Sequence, residues 1–261
     1  MVTSITIIGG KGKNGAAEAV ERLELKMGDV VSIVGPTGSG KTTLINDLEL
    51  FADGSTPTGR RVLINGALPE TEYRHDPSRN PIALITQHTT FLSDLPVKEF
   101  LSTHARIRST DGIEGEQIVA ETLDFANQLT GEAIALDSRM TELSGGQTRA
   151  LLIADATIIC NTPIVLLDEV ENAGIHRTRA LELLRQYRKI FIFVTHDPRI
   201  ALLSDYRIVM EKGTMTKVLH TDEQEQRLSH QVSRLDDILS VLREKMRLGE
   251  NLGGLELEGL A

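Results

Sequence analysis

Three short stretches of this 261-residue chain carry side chains that could do chemistry together. The first is Gly35-Pro36-Thr37-Gly38-Ser39-Gly40-Lys41-Thr42, followed by Thr43. It has the form GxxxxGK[ST] and lies between a β-branched run, Val30–Val34, and a stretch of helical character, Leu44–Leu50. Glycines at that spacing let successive N–H groups turn inward, making an anion nest at a helix N-terminus whose dipole favours negative charge. Lys41 suits the β- and γ-phosphates of a nucleoside triphosphate, and the Thr42 hydroxyl is a hard oxygen ligand for Mg²⁺. A Gly-rich turn with an incidental lysine is the bland alternative, and the complete octapeptide between strand and helix outweighs it.

The second stretch is Ile164-Val-Leu-Leu-Asp168-Glu169, an apolar strand with two acids at its carboxyl end, where a parallel sheet binds ligands. Asp168 suits a metal's water shell, and Glu169 suits polarising an attacking water. Solvated acids end many strands, so this pair gains meaning only beside the phosphate loop. The third stretch is Leu143-Ser144-Gly145-Gly146-Gln147, read as a helix start with Ser144 at the N-cap and glycines that permit close backbone approach. One triphosphate uses two such helix ends only if they close over it from opposite sides.

The elements that must position these groups follow from periodicity. Strands are expected at Ser4–Ile8, Val30–Val34, Arg61–Asn65, Pro81–Thr86, Ile164–Leu167, Ile190–Thr195 and Arg207–Glu211, with a loop over Pro69–Pro81. Helical spacing marks Val97–Ala105, Glu116–Thr130, Gly145–Ile159 and Arg177–Arg188. Strands, then a run of helices, then strand–helix–strand alternation predict an α/β core on a mainly parallel sheet, with a helical subdomain inserted at about 92–159. Near the C-terminus Leu228, Val232, Leu235, Leu239, Leu242 and Met246 recur in steps of four and three. Fewer than three heptads are present, and Ile238 and Val241 widen the stripe, so packing on its own domain or on a neighbouring subunit is preferred over a free coiled coil. The expected organisation is a core over 1–220, a helix over 221–248 and a mobile tail over 249–261.

Composition bounds the rest. Hydrophobic residues make up 40% and charged residues 25%, a globular balance that excludes a disordered chain. A net charge of −9 argues against nucleic acid as a dominant partner. No apolar run approaches a membrane span, and no signal peptide is visible, so a cytoplasmic protein is expected, with a place at the inner face of the membrane if it serves a transporter. Cys160 is the one cysteine and reads as a buried small residue, while His104 shows no ligand-like clustering along the chain.

Together these residues resemble the ATP-binding cassette (ABC) ATPases. Leu143–Gln147 matches that family's signature motif and lies upstream of the Asp-Glu strand. Gln87, after the strand ending at Thr86, matches the Q-loop, and His196 in Val194-Thr-His-Asp197 matches the H-loop. The ordered set covers about residues 3–220. The resemblance implies a P-loop NTPase core whose two copies join head to tail, each ATP lying between one copy's Gly38, Gly40, Lys41, Thr42 and Thr43 and the other's Ser144, Gly145 and Gly146. It implies Glu169 as the catalytic carboxylate, His196 as a linchpin on the γ-phosphate, and Gln87 on Mg²⁺ or the lytic water; Mg²⁺ would fall to Thr42, Gln87 and Asp168.

Three departures stand out. No aromatic residue precedes Phe51, so the family's adenine-stacking platform is absent and the base would lie on an aliphatic side chain or the Lys11–Lys13 region. The acid that ends the family's D-loop is replaced by Ile175, and Asp155 stands where the common transporter form has a basic residue. The resemblance places a transporter's nucleotide-binding subunit, served by separate membrane-spanning permeases, slightly ahead of a soluble ATPase that remodels a protein or cofactor assembly. The signature motif argues against a P-loop kinase or GTPase.

Overall fold

The runs Ile164–Leu167 and Ile190–Val194 are apolar at every position because both faces of their sheet are covered. The computed structural model describes residues 1–108, 115–169 and 177–252. Its strands are β1 Ser4–Ile8, β2 Arg22–Lys26, β3 Val30–Val34, β4 Arg61–Ile64, β5 Ile82–Thr86, β6 Ile164–Asp168, β7 Ile190–Val194, β8 Tyr206–Glu211 and β9 Thr214–His220. Its helices are α1 Lys41–Glu49, α2 Glu72–His75, α3 Val97–Arg108, α4 Gly115–Leu129, α5 Gly145–Thr157, α6 Arg177–Arg185, α7 Pro198–Leu203 and α8 Glu223–Arg247.

Six strands form one sheet in the order β5-β6-β7-β3-β8-β9, parallel except for β9. Register aligns Thr86 with Asp168, Asp168 with Val194, and Ile33 with Val194, so β5, β6, β7 and β3 all end at one edge. Alternate side chains divide the core. Val165, Leu167, Phe191 and Phe193 join Leu101, Phe125, Leu129 and Leu151 on the helical side. Ile164, Leu166, Ile190 and Ile192 join Leu44 and Leu48 of α1 and Ile5, Ile7 and Val62 of a second sheet.

That second sheet, three antiparallel strands in the order β2-β1-β4, is an addition to the expected mainly parallel one. Its strand β2, Arg-Leu-Glu-Leu-Lys, carries a period-two alternation that the sequence reading passed over. The same reading missed β9, α2 and α7. For β9 a local signal exists: Lys212 (φ 51°) and Gly213 (φ 88°) form a two-residue hairpin connection with both residues in the left-handed region.

One buried ion cluster ties the layers together behind the phosphate loop. Arg60 Nη2 and Nε donate to Glu18 (2.6 and 3.1 Å), Nη1 donates to Asp47 of α1 (2.9 Å), and Nη2 also donates to the Gly213 carbonyl (2.9 Å). Burial works against the guanidinium charge, while Glu18 and Asp47 hold its pKa above the ordinary value. Arg60→Ala leaves two buried carboxylates without their cation and is expected to destabilise the protein by about 3–5 kcal/mol in urea unfolding. A loss below about 1 kcal/mol would show that water replaces the arginine.

The C-terminal helix α8 meets α7 near its start, where Ser229 is buried. Farther along, Leu235, Leu239 and Met246 are exposed, so packing on its own domain does not account for the whole stripe. Most of the expected tail, residues 253–261, and the altered D-loop segment, residues 170–176, lie outside the described residues.

Candidate active site

The loop after β3 is shaped by three glycines with positive φ: Gly35 (151°), Gly38 (78°) and Gly40 (100°). Gly35 is also fixed by packing, because a Cβ there would lie 2.3 Å from the Met210 carbonyl oxygen. At Gly38 a Cβ would meet nothing within 4 Å, so conformation alone demands glycine and the space beside it is open. Gly40 sits at the N-cap of α1 and provides no side-chain cap, which leaves the first-turn N–H groups of that helix available to an anion. Lys41 is buried, and its ammonium donates to the carbonyls of Gly35 (2.9 Å) and Pro36 (3.3 Å). The Ser39 hydroxyl is buried without a protein partner.

The neighbouring strand ends bring the other groups. Glu169 follows β6 with φ 50°, a left-handed conformation that costs a non-glycine residue roughly 1–2 kcal/mol. Its N–H donates to the Val194 carbonyl (3.1 Å), locking the two strand ends together. His196 follows β7 in a segment pinned downstream. Thr195 Oγ1 accepts the Asp197 N–H (2.8 Å), and Asp197 caps α7 while pairing with Arg199 (2.5 Å). His196 Nε2 stands 4.0 Å from Glu169 Oε1.

These residues meet in a cavity of about 230 Å³ lined by Lys13, Thr37, Gly38, Gly40, Lys41, Thr42, Thr43, Glu169, Val194 and His196. Basic, hydroxyl and backbone N–H groups sit on its α1 side, and a carboxylate and an imidazole on its β6–β7 side. A phosphate chain fits the first wall, and the second presents groups that can orient and deprotonate water.

Other expected residues are placed differently. Gly35, Pro36 and Ser39 shape the loop without lining the cavity, and Asp168 ends β6 half-buried behind Glu169. Gln87 is exposed and outside the lining, with its amide nitrogen 3.2 Å from His88 Nε2. Ser144, Gly145, Gly146 and Gln147 form the predicted helix start but do not line the cavity either. There Ser144 Oγ accepts the Gln147 N–H (3.3 Å) and Gln147 Oε1 accepts the Ser144 N–H (2.9 Å), a reciprocal cap.

Two residues near the site escaped specific assignment in the sequence. Lys13 lies in the Gly-rich segment Gly9–Gly15, and its ammonium donates to the Gly38 carbonyl (3.1 Å). A second lysine thus lines the cavity, from the Lys11–Lys13 region named above for the base. Arg149 Nη2 donates to the Gln87 carbonyl (2.6 Å) and Nη1 to the Gly145 carbonyl (3.1 Å), joining the segment after β5 to α5.

Among known proteins, the family described as "ABC transporter" matches residues 21–172. An uncharacterised ABC transporter ATP-binding protein of Methanocaldococcus jannaschii is 49% identical over 96% of this chain and 95% of its own length. The β-(1→2)glucan export ATP-binding/permease protein NdvA of Agrobacterium fabrum is 33% identical over 74% of this chain and only 34% of its own length. Among solved structures, an ATP-binding cassette in a dimeric post-hydrolysis state bound to ADP and Pi superposes with a TM-score of 0.61 at 22% identity, covering 84% of this chain and 99% of that one.

Proposed function

The chain belongs to the ABC transporter family and is an ATPase of the transporter type, and on that premise we propose that it binds Mg-ATP in the β3–α1 cavity and hydrolyses it between two copies joined head to tail. The observation that carries the reading is that one cavity collects Lys41, Thr42, Glu169 and His196 while the Ser144–Gln147 helix start contributes nothing to its wall. A second copy supplies that helix start, and the γ-phosphate becomes the joint between the copies.

Within each copy the chemistry is divided. Lys41 and the N–H groups at the start of α1 receive the β- and γ-phosphates, Lys41 exchanging its two carbonyl partners for phosphate oxygens. Glu169 orients the attacking water and accepts its proton, and His196 holds the γ-phosphate side against it. The Thr42 hydroxyl in the cavity and the Asp168 carboxylate at the end of β6 are hard oxygen donors that would hold Mg²⁺, which would neutralise phosphate charge, and Gln87, outside the lining, would have to move in to join them. Loss of the γ-phosphate then removes the joint and the copies part. No helix among the described residues is long and apolar enough to cross a membrane; in the transport reading the chain works with membrane-spanning permease subunits. The Methanocaldococcus jannaschii relative, matched over 95% of its length, supports the transport role by its name.

Ser144→Arg tests the sandwich, because the exposed N-cap tolerates the side chain in one copy while blocking the joint between two. With a hydrolysis-blocked background and Mg-ATP, sedimentation is expected to show dimers for the parent and monomers for Ser144→Arg. Equal dimerisation of both would overturn the arrangement.

A further inference from the structure

We propose that His104, Asp155 and Cys160 form a binding site for one divalent transition-metal ion of the zinc class, distinct from the nucleotide cavity. The three residues come from α3, α5 and the turn just after α5, and one donor atom of each lies within 4.8 Å of the others. Asp155 is the hub: Oδ1 lies 2.8 Å from His104 Nδ1 and Oδ2 lies 3.7 Å from Cys160 Sγ. The Cys160 N–H donates to the Asp155 carbonyl (2.8 Å), so the backbone itself folds the thiol back onto the carboxylate.

A small tetrahedral ion would draw the three donors, now within 4.8 Å of one another, closer together. Metal–ligand bonds of about 2.0–2.3 Å put neighbouring donors roughly 3.3–3.5 Å apart. The Asp155–Cys160 spacing is already close to this, and the shorter His104–Asp155 spacing is that of a hydrogen bond whose shared proton the ion replaces. A mixed nitrogen, oxygen and sulfur set selects Zn²⁺ or its spectroscopic substitute Co²⁺ over Mg²⁺ and Ca²⁺, which take oxygen.

Burial is part of the site's character. Burial and then the Asp155 carboxylate push the Cys160 thiol up to about 12, against the opposing charges of Arg108 and Lys189. Coordination requires the thiol to lose its proton, so ion binding at this site releases one. A cavity of about 470 Å³ borders all three residues, giving the ion an entry path and leaving its fourth position to water or an incoming ligand.

The test uses the full chain, stripped with chelator and free of nucleotide, titrated with Co²⁺. The expected result is a thiolate-to-cobalt charge-transfer band that saturates at one ion per chain and is abolished by Zn²⁺. Cys160→Ser should remove the band, His104→Ala should weaken binding by more than about tenfold, and His220→Ala should leave it unchanged. Zn²⁺ should also slow alkylation of Cys160. Cooperative urea unfolding of the metal-free variants, as in the parent, separates loss of a ligand from loss of the fold. A sulfur-free spectrum at one equivalent, or equal alkylation of Cys160 with and without Zn²⁺, would overturn the site and leave a hydrogen-bonded structural cluster.

Discussion

Glu169→Gln is expected to lower ATP turnover by about 10²–10⁴-fold while ATP still binds, the range that a positioned general base supplies. The substitution keeps the side chain's size, and its backbone environment stays intact because the Glu169 N–H bond to Val194 does not involve the carboxylate. What it removes is the acceptor for the water's proton. The triphosphate then persists as the joint between copies, so the variant should accumulate as an ATP-loaded dimer. Single-turnover hydrolysis and sedimentation on the same sample check both halves. A variant that hydrolyses at the parental rate would remove Glu169 from the chemistry and leave its left-handed backbone without a functional account.

Lys41→Ala is expected to act earlier, weakening ATP binding by roughly 10- to 100-fold, the equivalent of one charge-assisted hydrogen bond to phosphate. The buried ammonium also holds the Gly35 and Pro36 carbonyls, so the loop loses an internal tie as well as a phosphate contact. Comparison of ligands separates these effects. A lost phosphate contact penalises ATP more than ADP and leaves adenosine unaffected, whereas a collapsed loop penalises all three alike. Calorimetric titration of Lys41→Ala with the three ligands makes the distinction, and unchanged ATP affinity would exclude Lys41 from the phosphate site.

Much of this architecture was legible in the sequence, and the exceptions have identifiable causes. Strands buried on both faces, such as Ile190–Val194, announce themselves as unbroken apolar runs, and the phosphate loop carries its own glycine spacing. The family resemblance drawn from motif order agrees with the comparisons. Strands β2 and β9 were harder because they alternate beside charged residues, and β9 follows a hairpin signalled by one glycine. Helix α2 is only four residues long, within the expected loop Pro69–Pro81. The His104–Asp155–Cys160 cluster was least legible. The spacing of 51 residues between its histidine and its acid has no periodic signature, and only the packing of α3 against the end of α5 unites them. Cys160, read as a buried small residue, proves half-buried with its thiol against the Asp155 carboxylate. Lys13 was near at hand as part of the Lys11–Lys13 region, yet its placement on Gly38 depends on the folding of a glycine-rich loop that sequence alone does not orient.

The guanidinium of Arg149 makes the stretch after β5 and the opening turn of α5 a single lever. Displacing the exposed Gln87 would load the Gly145 carbonyl through that fork, and displacing Gly145 would load the Gln87 carbonyl in return. Neither load would pass through the nucleotide cavity, whose lining includes none of Gln87, Gly145 and Arg149.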